Sequence, residues 1–278
     1  MAGQTAWDIV ADEYHRRHGD EGGYSHREYV LPAMLEMIGP VRGKRILDIG
    51  CGPGYLTRPL AKKGAKVTGT DLSSELLKIA QGLEREKPLG IEYLLLDASR
   101  LDGIKDSSFD IVTCNLALHA IEDAKSAIRE CGRVVKPGGR LVFSIMHPVT
   151  DTVESSDYKR DSRGFYVKLR SYGKGRAKAH RGFRLTKVLN YHRPFGFYMN
   201  ELFGNGFVVS GCRELPIRHV NQVVGLPRIL RPAVWAGSAI APSVFSKYLR
   251  PGKTDDPKIV EMLEQFPLFL LLEATKKK

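Results

Sequence analysis

Gly50-Cys51-Gly52-Pro53-Gly54 follows the run Ile46-Leu47-Asp48-Ile49 and leads into a helix-like stretch from Tyr55. Glycines so placed let backbone N–H groups and a helix N-terminus close on a bound group. Two kinds of cofactor use that geometry. A dinucleotide wants G-x-G-x-x-G, whose third glycine eases helix packing. Here Tyr55 holds the third position. Asp48, two residues before the first glycine, suits a cation better than a pyrophosphate. Asp71 stands 21 residues after Gly50, where an acid takes ribose hydroxyls in the analogous nucleotide fold. Asp97 ends the next apolar run, "YLLLD", positioned to face an adenine edge. An ammonium, a sulfonium, a ribose and an adenine without phosphate describe S-adenosylmethionine.

The elements that must hold these residues read as alternating strands and helices. Strands are predicted at 45–49, 66–70, 91–96, 109–115 and 140–146, and helices at 55–63, 73–86 and 123–135, the last closed by "KPGG". Short apolar strands alternating with helices mean parallel β/α units with both sheet faces covered. Before them, Trp7, Val10, Ala11 and Tyr14 have helical spacing over 5–18, "HGDEGGYSHREY" reads as a loop, and 30–38 as a second helix. After Met146 the rhythm breaks. A polar, aromatic-containing stretch reads as an extended, hairpin-like insertion. A helix near 194–203 and a strand at 207–213 follow, then a proline-containing segment, a short helix at 257–264 and a last strand at 268–274. The expected organisation is a helical lid (1–40), a cofactor core (41–149), a basic insertion (150–190), a core helix and strand (191–214), a cap (215–264) and a final strand with its tail (265–278). The fold class is α/β, with a late inserted cap.

The 278 residues carry a net charge of +12. Between Lys159 and Arg193 there are twelve Lys or Arg and one acid, so nearly all the excess sits in one segment. That is a local device and not a generally basic protein. The four cysteines lack CxxC pairing, which argues against a disulfide framework or a zinc site and fits a reduced, cytoplasmic chain. The N-terminus lacks the apolar core of a signal peptide. The longest apolar stretches, "PAVWAGSAIAPSVF" and "FPLFLLLEA", are shorter than the roughly 20 residues of a membrane span.

The segments "ILDIGCGPG", "VTGTDLS", "LLLDASRL", "FDIVTCNLALHAIED" and "VVKPGGRLVFSIMHP" together resemble the class I S-adenosylmethionine-dependent methyltransferases, in their small-molecule subgroup. The resemblance implies a Rossmann-like, seven-stranded, mostly parallel sheet with helices on both faces. "PLFLLLEAT" would be its antiparallel final strand. It further implies that Asp48, Gly50, Cys51, Gly52 and Gly54 form the loop around the amino-acid part of the cofactor. Asp71 would bind the ribose, Leu72 pack on the adenine, Asp97 and Ala98 address the adenine, and Asn115 and Ala117 line the methionine end. In this family the N-terminal helix often covers the cofactor, which brings in Tyr14, with Tyr24 and His26 as further candidates. Cys51 has no base beside it and reads as a small loop residue.

Methyl transfer from a sulfonium is an in-line displacement that mainly needs alignment. The acceptor is therefore weakly specified. The Asn-Pro-Pro-aromatic pattern of amino-group methylation on bases is replaced by "NLALHAIED". His119 and the strand-end His147 are acceptor-side candidates. The resemblance of "SIMHP" and "LNYHRPFGFYMNELFGNGFVV" to a small-molecule subgroup adds Tyr191, His192 and Arg193. The leading expectation is a small, anionic or amphipathic acceptor. The rival is RNA such as tRNA, since "RSYGKGRAKAHRGFR" interleaves cations with rings that stack on bases.

Overall fold

The computed structural model describes residues 4–151, 158–161, 164–167, 172–173, 176–180, 188–216 and 267–278. The expected cap, and the helix expected at 257–264, lie outside these residues apart from Leu215 and Pro216. In chain order come α1 (Ala6–His18), a π-helical turn (His26–Val30), α2 (Leu31–Ile38), β1 (Arg45–Ile49), α3 (Thr57–Lys62), β2 (Lys66–Asp71), α4 (Ser74–Glu86), β3 (Glu92–Leu95), β4 (Phe109–Asn115), a short helical turn (Leu118–Ala120), α5 (Ala124–Val134), β5 (Val135–Met146), α6 (Pro148–Asp151), β6 (Tyr158–Asp161), β7 (Gly164–Val167), β8 (Arg176–His180), β9 (Val188–His192), α7 (Phe195–Gly204), β10 (Phe207–Pro216) and β11 (Pro267–Lys276).

Seven strands form one sheet in the order β10-β11-β5-β4-β1-β2-β3. β11 is antiparallel to both its neighbours, while the pairs from β5 to β3 are parallel. Successive residues of each central strand point to opposite faces. Ile46, Ile111, Val142 and Leu271 join α2 and α3 in one core layer. Leu47, Val112, Phe143 and Leu272 join α5 and α7 in the other. The chain runs outward from β1 to β3, then returns to place β4 on β1's other side. That reversal opens a crevice at the carboxyl ends of β1 and β4, where open α/β sheets bind ligands.

Three local differences from the sequence reading have physical causes. The chain turns helical at Tyr24, so the loop before α2 is shorter than expected. Pro32 stands at the start of α2 and has no N–H to donate, and Leu31 N–H reaches back to the carbonyl of His26, closing a π turn. The "KPGG" segment does not end α5 in a loop but lies within β5. The ladder jumps from Phe109 opposite Val135 to Ile111 opposite Arg140, a bulge that absorbs it. A Cβ on Gly139 would stand 2.8 Å from the Asp110 carbonyl oxygen, so only glycine fits there. Within the basic insertion the described residues form two antiparallel pairs, β6 with β7 and β8 with β9. Tyr191 and His192 belong to the second pair, so the expected boundary at 190/191 cuts through β9.

The N-terminal helix is fixed at both scales. Thr5 Oγ1 accepts from Asp8 N–H (3.1 Å), and Asp8 Oδ2 accepts from Thr5 N–H (2.7 Å), a reciprocal cap. The other Asp8 oxygen accepts from Ser73 Oγ (2.8 Å) and Glu75 N–H (3.1 Å) at the start of α4. Burial raises the Asp8 pKa, but the hydrogen bonds from Ser73, Thr5 and Glu75 outweigh it and hold the group at about 2. A carboxylate depressed below its free value stabilises the fold above that value. Asp8→Ala is therefore expected to lower the unfolding free energy by about 1–2 kcal/mol at neutral pH in urea melts. The gap from wild type should hold above pH 3.8 and close as pH falls through about 2. A gap that does not change with pH would show that Asp8 acts only by packing.

Candidate active site

Gly50 and Gly52 set the floor of the crevice. Both have left-handed backbone, with φ of +63° and +53°. A Cβ on Gly50 would lie 2.4 Å from the Ala117 Cβ, so this residue must be glycine for the β1 loop to lie against the end of β4. A Cβ on Gly52 would meet nothing within 4 Å among the described residues, so its backbone borders open space. Its N–H donates to Asp71 Oδ2 (2.8 Å), while Asp71 Oδ1 accepts from Ser73 N–H (2.9 Å). The end of β2 is thereby tied to the loop after β1. Burial raises the Asp71 pKa.

Asp48 lies beneath the loop and is buried. Thr57 Oγ1 donates to its Oδ2 (2.8 Å) and Thr113 Oγ1 to its Oδ1 (2.7 Å). Both its oxygens thus have protein partners, and it acts on the crevice through its field and by bracing the loop. Burial pushes its pKa up to about 6; the threonine bonds pull it down and the Asp71 charge raises it. Leu72 is 48 % exposed at the rim, an apolar surface of the kind a flat ring covers. Asp97 Oδ1 accepts from Ser99 N–H (2.8 Å) and Ser99 Oγ (2.7 Å), which shapes the turn after β3, and Ala98 is buried beside it. Cys51 is buried, and burial pushes its thiol well above the ordinary value, so it offers no nucleophile.

Residues of the N-terminal segment pack against Tyr55 of the glycine loop. The Tyr14 ring lies 6.1 Å from Tyr55 and 4.4 Å from His18. Its pKa is raised by burial and then by the charge of Asp71. The His26 ring packs 5.2 Å from Tyr55, and Asn115 Nδ2 donates to His26 Nε2 (2.8 Å). Tyr24 instead pairs with Tyr29, centroids 5.8 Å apart. The buried hydroxyl of Tyr55 has no hydrogen-bond partner among the described residues, so the crevice wall holds a polar group still to be satisfied.

On the acceptor side, His147 is buried at the end of β5. Its Nδ1 accepts from Val149 N–H (3.2 Å), so Nε2 carries the proton and donates to Glu214 Oε1 (2.9 Å) on β10. Arg193 Nη2 donates to the carbonyls of Ile121 (2.7 Å) and Glu122 (2.6 Å), with its guanidinium 5.3 Å from the rings of Tyr191 and Phe197. His192 is buried, its Nε2 3.0 Å from the Tyr172 carbonyl. Arg193 therefore braces the β9 end against the segment after the short turn that carries half-buried His119, while His192 faces the Tyr172 carbonyl. Sequence reasoning does not find Thr57, Thr113, Ser144 or Glu214. A hydroxyl inside the apolar strand "FDIVTCN" is the available signal, since a buried polar group requires a partner.

Residues 47–143 match the family model described as "Methyltransferase domain". The ubiquinone biosynthesis O-methyltransferase of Nitrosococcus oceani is 34% identical over 193 residues, which cover 68% of this chain and 80% of that enzyme. The chain belongs to the class I S-adenosylmethionine-dependent methyltransferases. The enzyme of the same description from Albidiferax ferrireducens is 38% identical over 142 residues, 49% of this chain and 56% of that enzyme. The match spans about half the length of several further curated relatives. A crystal structure of an S-adenosylmethionine-dependent methyltransferase from Mesorhizobium loti superposes with a TM-score of 0.65 at 26% identity, covering 91% of this chain and 99% of that one.

The methyl donor of the family is S-adenosylmethionine, and the crevice fits it. Gly52 borders open space, a carboxylate stands at the end of β2, Leu72 is bare, and the Tyr55 hydroxyl awaits a partner. A raised carboxyl also responds to a cation. Because its folded pKa exceeds the free value, Asp48 favours folding at low pH, and this contribution is lost as pH rises from 3.8 through about 6. A bound cation favours the ionised form. Calorimetry near pH 6 in buffers of differing ionisation heat should therefore show release of up to about half a proton on S-adenosylmethionine binding. Asp48→Asn should reduce that release; an unchanged value would exclude Asp48 as its source.

Proposed function

We propose that this chain transfers a methyl group from S-adenosylmethionine to a small, anionic or amphipathic acceptor. The observation that carries this reading is the crevice itself: left-handed Gly50 and Gly52 at the strand-order reversal, with Asp71 on one side and Asn115 on the other. A hydroxyl is the first acceptor to test, because the curated relatives are named O-methyltransferases.

When bound, S-adenosylmethionine supplies an electrophilic methyl on a sulfonium. The glycine loop and Asp71 would orient the donor, and α1 with the π turn would keep water from it. A hydroxyl acceptor must also lose a proton. In our reading the Glu214 carboxylate, 60% exposed, takes that proton, and His147 Nε2–H, which donates to it, holds it in place. Arg193, His192 and Tyr191 would hold the segment bearing His119 in place. The free cysteines suit a reducing cytoplasm, and no described helix is long and apolar enough to cross a membrane.

Calorimetry of the whole chain with S-adenosylmethionine should show binding, and its absence would sink the proposal. With hydroxylated aromatic acids or lipid-tailed phenols as acceptors, His147→Ala should lower kcat by about 100-fold while leaving donor affinity unchanged. The observation favouring RNA is the charge of the segment from Lys159 to Arg193. In that case tRNA would be methylated, with an affinity that falls steeply as salt rises. Methylation of tRNA and of no small acceptor would transfer the reading to RNA.

A further inference from the structure

His26 belongs to none of the motifs of the cofactor core, yet it makes the contact that joins the lid to the sheet. Its hydrogen-bond chain runs from β5 through Asn115 to the lid. Leu116 N–H donates to Ser144 Oγ (3.0 Å) as well as to the Ser144 carbonyl. Ser144 Oγ donates to Asn115 Oδ1 (2.6 Å). With its oxygen taken by Ser144, the Asn115 amide presents its NH2 to the lid, where Nδ2 donates to His26 Nε2 (2.8 Å). The imidazole must offer a lone pair there, so its proton sits on Nδ1 and the ring is neutral. We propose that His26 is a positioning residue that, in its neutral form, latches the N-terminal lid to Asn115 and fixes the face Asn115 presents to the methyl donor. This rests on the reading of the crevice as the S-adenosylmethionine site.

The surroundings hold the ring in place. The Tyr55 ring packs on it from the glycine loop, and a Cβ on Gly22 would come within 3.2 Å of it, so the chain passes close on that side. Its titratable neighbours include His18 on α1 and Tyr55 on the glycine loop. Burial lowers the His26 pKa, and the charge of His18 lowers it further, to about 4. A base whose folded pKa lies below its free value of 6.5 keeps the latch formed above pH 6.5, and the latch is lost as pH falls toward about 4. A protonated ring has no lone pair at Nε2. It would compel the Asn115 amide to turn over and would bring a positive charge toward a cationic ligand.

The test separates His26 from Asp48, whose carboxyl titrates nearby at about 6. In His26→Gln the new side chain can place an amide oxygen near the position of Nε2 and accept from Asn115, but it does not titrate. Affinity for S-adenosylmethionine should be measured by calorimetry from pH 7.5 down to 4 for wild type, His26→Gln, His26→Leu and Ser144→Ala, with thermal melts to confirm folding at each pH. At pH 7.5 His26→Gln should bind like wild type, while His26→Leu and Ser144→Ala should bind about three- to tenfold more weakly. As pH falls from 5 toward 4 wild type should lose affinity more steeply than His26→Gln. If His26→Gln and wild type show the same pH profile, or if His26→Leu binds as tightly as wild type, the latch is wrong even though the cofactor site stands. If wild type binds no S-adenosylmethionine at any pH, it is the underlying reading that fails. Should His26→Leu not fold, the comparison of wild type with His26→Gln decides alone.

Discussion

A buried carboxylate held by two hydroxyls underlies the rest of the site. Asp48 lies at the end of β1, and its partners Thr57 and Thr113 come from the start of α3 and from β4. Those three elements meet only because the strand order reverses between β1 and β4. Removing a carboxylate from water is costly unless its oxygens are bonded, and here both are. The glycine turn above it can then adopt left-handed backbone without being supported by a side chain of its own. The raised pKa of Asp48 is the cost of this arrangement, and a cationic ligand is the natural way to offset it.

The lid is joined to that floor at two places, each through polar groups. Asp8 bonds the start of α4, directly after Asp71 and Leu72. His26 bonds Asn115 at the end of β4. One joint lies at the end of β2 and the other at the end of β4. The first depends on a carboxylate that stays charged down to strongly acid pH, and the second on an imidazole that must stay neutral. The lid is thus bound to the sheet by groups whose charge states are opposite in kind and coexist around neutral pH.

Much of this is legible in the sequence. Residues 45–49 and 109–115 read as strands with the bounds the structure has, since apolar runs between turn residues leave little freedom. The helices read at 73–86 and 123–135 match α4 and α5 to within a residue at either end, with Ser73 and Asp123 standing as their caps in the structure. What escapes is whatever depends on register or on a departure from regular geometry. In the π turn Leu31 N–H reaches back to the His26 carbonyl, one residue further than in an α-helix, a choice that no helical periodicity reports. The long bulge in β5 turns "KPGG" from a stop signal into part of a strand. Asp48 reads as a ligand contact because its partners, Thr57 and Thr113, lie 9 and 65 residues away and meet only in the folded sheet. Glu214 can be assigned to His147 only once β10 is placed beside β11.

Beyond β5, His147 is paired with Glu214, and the cation Arg193 is spent on the carbonyls of Ile121 and Glu122. The most direct measurement of the whole account is a crystal structure of the chain with S-adenosylhomocysteine. The account expects the ribose on Asp71, the adenine against Leu72, and the amino-acid end between the Gly50 loop and Asn115, with His26 Nε2 still accepting from Asn115. Density for the ligand elsewhere, or in this crevice with its ends exchanged, would contradict it.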